Sequence, residues 1–231
     1  DAHLAALEAL VLTTAAPTRF VVSHLVRFTQ LTTLSVSLAP VPADVDPLLP
    51  ARMLCAHLTS LVHLKLSWYE SSRRTGGLWP LIGRLTRLEH LFVHALPPPR
   101  GLTALTTLRR LAVLHMPNAT ADNADELPLL LRRLRALRHL SVSFTNLLQC
   151  TTSLRSLTPR LRSLKLNVLP DDADEAGIVA RLRHLRVLEL ARSPKGAPLD
   201  KLTDAYLQRA LPALTALTAL SIQNVPSLTA A

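Results

Sequence analysis

The chain has 231 residues, 48% of them hydrophobic, with 26 Lys and Arg against 16 Asp and Glu for a formal net charge of +10. That is apolar material enough for a large core without metals, and two cysteines, Cys55 and Cys150, are too few for a disulfide framework. No stretch approaches the ~18 uninterrupted apolar residues of a membrane helix, so the composition reads as a non-membrane protein of a reducing intracellular compartment, cytoplasmic or organellar.

Leucine supplies 53 of the residues, far above ordinary globular usage, and in chain order it falls into one recurring frame, Leu-x-x-Leu-x-x-Leu-x-Leu, with Val, Ile or Phe allowed. The frame reads LAALEALVL at 4–12, FTQLTTLSV at 28–36, LTSLVHLKL at 58–66, LTRLEHLFV at 85–93 and LTTLRRLAV at 105–113. It continues as LRALRHLSV at 134–142, a looser LTPRLRSLKL at 157–166, LRHLRVLEL at 182–190 and LTALTALSI at 214–222. Markers at the third frame leucine (Leu10, Leu34, Leu64, Leu91, Leu111, Leu140, Leu164, Leu188, Leu220) are separated by 24, 30, 27, 20, 29, 24, 24 and 32 residues.

A spacing of two across the last frame pair predicts a short strand with both apolar side chains facing one way, and the leucines before it fill the same core from the turn leading in. Parallel strands need returning crossovers on the other face. Segments 121–134, 170–182 and 198–211 each place acidic residues ahead of an apolar helical face and predict crossover helices, whereas 94–102, with three consecutive prolines, predicts an extended or 3₁₀ crossing.

The frame and its period resemble the leucine-rich-repeat family over nearly the whole chain. The resemblance implies an α/β fold: a leucine-rich-repeat solenoid, curved as a right-handed horseshoe, with a parallel β-sheet on the concave face and short helices and irregular crossovers on the convex face. Residues 1–231 then form a single domain of about nine repeats. No polar cap precedes the first copy or follows the last, which reads as a segment of a longer chain or as ends covered by partners. The asparagine that the family places five residues after the marker is missing; those positions hold Ala15, Ala39, Tyr69, Leu96, Met116, Thr145, Leu169, Ser193 and Val225, so the turns there are expected to be irregular and held by water or main chain.

Nothing in the chain points to an enzyme. The six glycines form no phosphate-binding or dinucleotide fingerprint, no nucleophile elbow is present, and the acidic clusters at 122–126 and 171–175 are explained as helix starts. No cofactor is expected. The sequon Asn118-Ala119-Thr120 is a short match of the kind that arises by chance. His90 and His94 have the spacing of a helical zinc pair, but on a strand they stand roughly 13 Å apart, too far to share a metal. His63 and His90 occupy equivalent positions in adjacent repeats, about 5 Å apart, and are read as exposed polar residues of the binding face.

The surface that repetition builds is the better candidate for function. Alternation points the residues flanking the two core positions into the concave face, and the candidates for recognition there are His63, Lys65, His90, Phe92, His94, Arg110, His139 and Lys165. A second column, two residues before the marker, holds Arg109, Arg138, Arg162 and Arg186. Unpaired guanidinium groups are not tenable in a core, so the strand must begin after this column, leaving a basic rim that Arg133, Arg135, Arg160 and Arg183 extend.

Together with what the family resemblance implies, these features predict a non-catalytic scaffold or adaptor. It would bind a partner protein with an acidic surface through the concave face and basic rim, with no membrane and no small-molecule substrate. The alternative is a ribonucleoprotein component, for example of an organellar ribosome, that touches RNA through the arginine rim; aromatic residues at 3% give few stacking platforms and place RNA second. Part of the positive charge is discounted, because 22 Arg against 4 Lys is what an arginine-biased codon usage produces.

Overall fold

The computed structural model describes residues 7–12, 23–38, 46, 48–68, 77–95, 101–116, 126–142, 152–157, 159–166, 179–191 and 204–223. The chain divides into two compact units, Asp1–Met116 and Pro117–Ala231. In the first, strands β1 (Ala9–Leu12), β2 (Thr33–Leu38), β3 (His63–Trp68), β4 (His90–Ala95) and β5 (Val113–Met116) pair in parallel in sequence order. In the second, β6 (His139–Val142), β7 (Ser163–Leu166), β8 (Val187–Ala191) and β9 (Ala219–Gln223) do the same.

In the inner strands the marker and the residue two beyond it are buried together, as in Leu34 with Val36, Leu64 with Leu66, Leu91 with Val93, Leu140 with Val142, Leu164 with Leu166 and Leu188 with Leu190. In β1 Leu10 and Leu12 are half-buried, and in β9 Leu220 is exposed. The leading frame leucines, among them Leu58, Leu61, Leu85, Leu88, Leu134, Leu137, Leu182 and Leu185, are buried beneath the same strands. The markers lie opposite one another in register, Leu10 to Leu34 to Leu64 to Leu91 in the first unit and Leu140 to Leu164 to Leu188 to Leu220 in the second.

The fifth copy is shifted. Leu91 pairs with Leu114, not Leu111, so the working frame is Leu108, Leu111, Leu114 and Met116, and all four are buried. The expected marker Leu111 is the second frame leucine, and the marker separations on either side become 23 and 26 residues.

Strand entry is held by main chain. The carbonyl just before each strand accepts two N–H groups from the next repeat: Glu8 from Thr32 and Thr33 at 2.9 and 3.0 Å, Val62 from Glu89 and His90 at 2.8 and 3.0 Å, Arg162 from Arg186 and Val187 at 2.7 and 3.0 Å. These main-chain rungs fix the register of successive repeats, and at Glu8 and Arg186 the Thr32 and Thr218 hydroxyls donate to the same carbonyls at 3.1 and 3.0 Å. The positions of the missing asparagine lie outside the described residues except Met116, whose side chain is a core residue of the shifted fifth copy.

Crossovers complete the repeats. Helix α1 (Leu49–His57) has Pro50 in its first turn, where a proline loses no intrahelical bond, and buries Pro50, Ala51, Leu54 and Cys55 along one face. Helix α2 (Leu78–Ile82) is followed by a 3₁₀ helix, Leu102–Thr107, entered through Gly101 at φ 101°. Helix α3 (Glu126–Arg133) and helix α4 (Asp204–Ala210) fall within two of the segments expected to be helical, with Glu126 and Asp204 in their first turns and Arg132, Arg133 and Arg209 in their last, as the helix dipole favours. In the third such segment, 170–182, only 179–182 is described, and 179–180 is helical. The acidic cluster at 171–175, most of that at 122–126, the sequon and Cys150 lie outside the described residues.

Candidate functional site

The open strand face of the first unit gathers most of the predicted recognition residues. His63 and His90 are partners across β3 and β4, and their rings stack with centroids 4.1 Å apart and planes 25° from parallel. Lys65 lies opposite Phe92 in the same pair of strands, and Phe92 lies opposite His115 on β5. The Phe92 and His115 rings are 5.6 Å apart, and His94 approaches His115 from the other side at 4.9 Å. Phe92, His94 and His115 therefore form one half-buried cluster with exposed Lys65 beside it. Desolvation within this cluster, and secondarily the Lys65 ammonium, hold the His94 pKa below the usual histidine value.

The shift of the fifth copy corrects two expected positions. Arg110 does not lie on the strand face: it is exposed in the turn Arg109–Arg110, three residues before β5. Arg109 likewise does not stand in the column of Arg138, Arg162 and Arg186, because the residue directly before β5 is Ala112. The physical reason is that the 3₁₀ helix Leu102–Thr107 takes up Leu102 and Leu105, pushing the strand one three-residue step downstream. The same shift brings His115 onto the face, a residue outside the recognition set expected from the sequence.

On the strand face of the second unit, His139 is exposed at the start of β6, its pKa lowered by desolvation first and by the Arg162 guanidinium second. Lys165 does not offer an isolated charge. Its Nζ lies 2.8 Å from the Glu189 carboxylate, directly opposite on β8. Arg138, Arg162 and Arg186 each stand immediately before a strand, as the rim argument requires, and are half-buried or exposed rather than in the core. Their backbones are tied rung to rung, Arg162 N–H to the Arg138 carbonyl and Arg186 N–H to the Arg162 carbonyl, both at 2.7 Å.

Among the described residues no group of three or more His, Cys, Asp or Glu is arranged to hold a metal, and no helix is long and apolar enough to cross a membrane. Cys55 is a buried free thiol of α1, and burial pushes its pKa up to about 12 against a smaller opposing effect from Arg84.

Neither a family model nor a curated protein matches the sequence. Solved structures do resemble the fold. An internalin from Listeria monocytogenes is 18% identical, with a TM-score of 0.50 over 87% of this chain and 50% of its own. The leucine-rich-repeat-containing protein LegL7 from Legionella pneumophila is 12% identical, with a TM-score of 0.50 over 88% of this chain and 70% of its own. A leucine-rich-repeat protein from Leptospira interrogans is 15% identical, with a TM-score of 0.40 over 89% of this chain and 58% of its own. The chain thus spans half the length of the internalin. Recurring frame, parallel strands in marker register and these structural neighbours establish that the chain has the leucine-rich-repeat fold.

Proposed function

We propose that the chain is a non-catalytic protein-interaction module, a scaffold or adaptor in a larger assembly, that takes a partner protein with an acidic surface onto the strand face of the first unit. The observation that carries this reading is the cluster of Phe92, His94 and His115 beside Lys65. An aromatic ring among imidazoles, flanked by one ammonium group, is the composition of an interface centre with a charged margin. The stacked His63 and His90 extend the same face by one strand. An intracellular setting, cytoplasmic or organellar, belongs to the same reading, and the buried, protonated Cys55 thiol is compatible with it.

Contact with RNA through the arginine rim is the less well supported alternative. Its four-residue column keeps Arg138, Arg162 and Arg186 but loses Arg109 to a turn.

The test is affinity capture with the whole chain and with Phe92→Ser and Lys65→Glu variants, each checked by circular dichroism. A partner retained by the parent after ribonuclease treatment and lost from both variants supports the proposal. Identical sets of captured proteins from folded parent and variants overturn it.

A further inference from the structure

A second feature of the molecule lies wholly within the second unit and is not used by that reading. A cavity of about 290 Å³ opens at the strand entries, lined by Arg138, Arg160, Arg162, His184, Arg186 and Ala216. The lining is two columns of the repeat. Arg138, Arg162 and Arg186 stand two residues before their markers, while Arg160, His184 and Ala216 stand four before theirs. Bonded rungs at 2.7 Å hold the first column at the spacing of adjacent parallel strands, about 4.8 Å, so three guanidinium stems leave neighbouring rungs toward one space.

Among the described residues, no carboxylate lines this space. The carboxylates described in the second unit are Glu126, Glu189 and Asp204; none lines the cavity, and Glu189 is engaged by Lys165. Among the described residues, no ion pair joins any of the four lining arginines to a carboxylate. Four guanidinium groups around one cavity repel one another, and an anion of more than one charge entering it relieves that repulsion. The positive field reaches the neighbouring His139 ring, where Arg162 opposes protonation.

We propose that this cavity binds the phosphate-monoester group of a phosphorylated serine or threonine on a partner protein. A phosphorylated side chain brings about −1.5 to −2 charges and three acceptor oxygens, which several guanidinium forks engage together. A carboxylate brings one charge and two oxygens and leaves most of the cluster uncompensated. The volume lies just below the range of pockets that hold drug-sized molecules, roughly 300–1,000 Å³, and so admits a single modified side chain rather than a folded element. Base stacking, on which single-stranded RNA recognition depends, has no Phe, Tyr or Trp in the lining. The proposal rests on the protein-binding reading only for the source of the phosphate.

The test immobilises the whole chain and measures retention of a degenerate phosphoserine and phosphothreonine peptide pool. It is compared with the same pool after phosphatase treatment, a pool with Glu at the modified position, sodium phosphate as competitor, and poly-uridine RNA. Retention of the phosphorylated pool about tenfold or more above the other two pools is expected. Arg162→Ala and Arg186→Gln should each lower it about tenfold, as loss of a charge-assisted hydrogen bond does, while Arg209→Ala, exposed on helix α4 and outside the cavity, leaves it unchanged.

Equal losses from Arg209→Ala and Arg162→Ala overturn the proposal in favour of non-specific charge. So do binding of sodium phosphate, read by calorimetry, with no peptide retention, which leaves an inorganic-anion site, and retention of poly-uridine without the peptides, which leaves the RNA reading. Phe92→Ser should not affect peptide retention, so failure of the first-unit interface and failure of this site are read on different variants.

Discussion

Thr107 donates its hydroxyl to the carbonyl of Gly83 at 2.6 Å, binding the 3₁₀ crossover of one repeat to the end of helix α2 in the preceding one. The approach is so close that a Cβ on Gly83 would meet the Ala104 carbonyl oxygen at 2.6 Å. That neighbour is backbone and has no rotamer to change. Gly83→Ala is therefore expected to destabilise the protein by about 1–3 kcal/mol, as overpacking does. Thr107→Val should cost about 1 kcal/mol from the lost hydrogen bond, and denaturant midpoints measure both. An unchanged midpoint for Gly83→Ala would show that the two crossovers are not in contact.

The shifted fifth copy gives a sharper test of register. Val113 is half-buried on the strand face, in the position of His63 and His90, whereas the expected frame puts it in the core. Val113→Lys should be tolerated within about 0.5 kcal/mol, like other surface substitutions. Leu114→Ala should cost about 2–5 kcal/mol, and so should Leu140→Ala in the second unit, since both markers are at most 2% exposed. Loss of folding in Val113→Lys would restore the earlier frame.

Why that one copy misled is visible in its residues. From Leu102 to Leu114 a leucine stands at every third position, so a nine-residue frame fits equally well in two settings three residues apart. Local sequence has no preference between them; the choice is made by pairing with Leu91 and by the 3₁₀ turn that uses Leu102 and Leu105. The residue two beyond the marker is Val113 in the earlier setting and Met116 in the later; both are of core type, and the later setting is the one that turns His115 outward. Elsewhere the period was enough. The stacking of His63 on His90 followed from equal positions in adjacent repeats, and so does the Lys165–Glu189 pair, both being one residue past their markers. The cavity at the rim was only half legible. Its arginines form a visible column, but the enclosure depends on where His184 and Ala216 lie one column behind them.

The Lys165–Glu189 contact should be weak in stability terms despite its 2.8 Å length. Its side chains are 49% and 39% exposed, so solvent and salt screen the attraction. A double-mutant cycle with Lys165→Ala and Glu189→Ala should give a coupling of about 0.2–1 kcal/mol that declines as salt is added. Its larger effect is on charge presentation, since Glu189→Ala leaves a bare ammonium on that face. A coupling above about 2 kcal/mol would mean that the pair is shielded from water.

Acid should weaken the fold through His94 and His139. Both have pKa values lowered in the folded protein, by desolvation first and by Lys65 or Arg162 second. The unfolded chain then binds protons more readily, so stability is unaffected above the ordinary histidine pKa, about 6.5, and falls as pH drops below it. Glutamine at both positions should flatten the loss between about pH 7 and 5, and a slope identical in the double variant would assign it to other groups.

Cys55 offers a direct readout of unfolding at helix α1. With its thiol pushed up to about 12 by burial, it is protonated at pH 8, whereas an exposed cysteine near 8.5 is partly thiolate. In a Cys150→Ser background, alkylation by iodoacetamide at pH 8 should be slow in native buffer and fast in denaturant. The sign on stability follows from the same shift. The folded state disfavours the thiolate, so raising the pH through about 8.5 ionises Cys55 in the unfolded chain first and lowers the free energy of unfolding. Cys55→Ser should remove that alkaline decline. Alkylation in native buffer as rapid as in denaturant would place the thiol at the surface and contradict the burial of Pro50, Ala51, Leu54 and Cys55 along one face of α1.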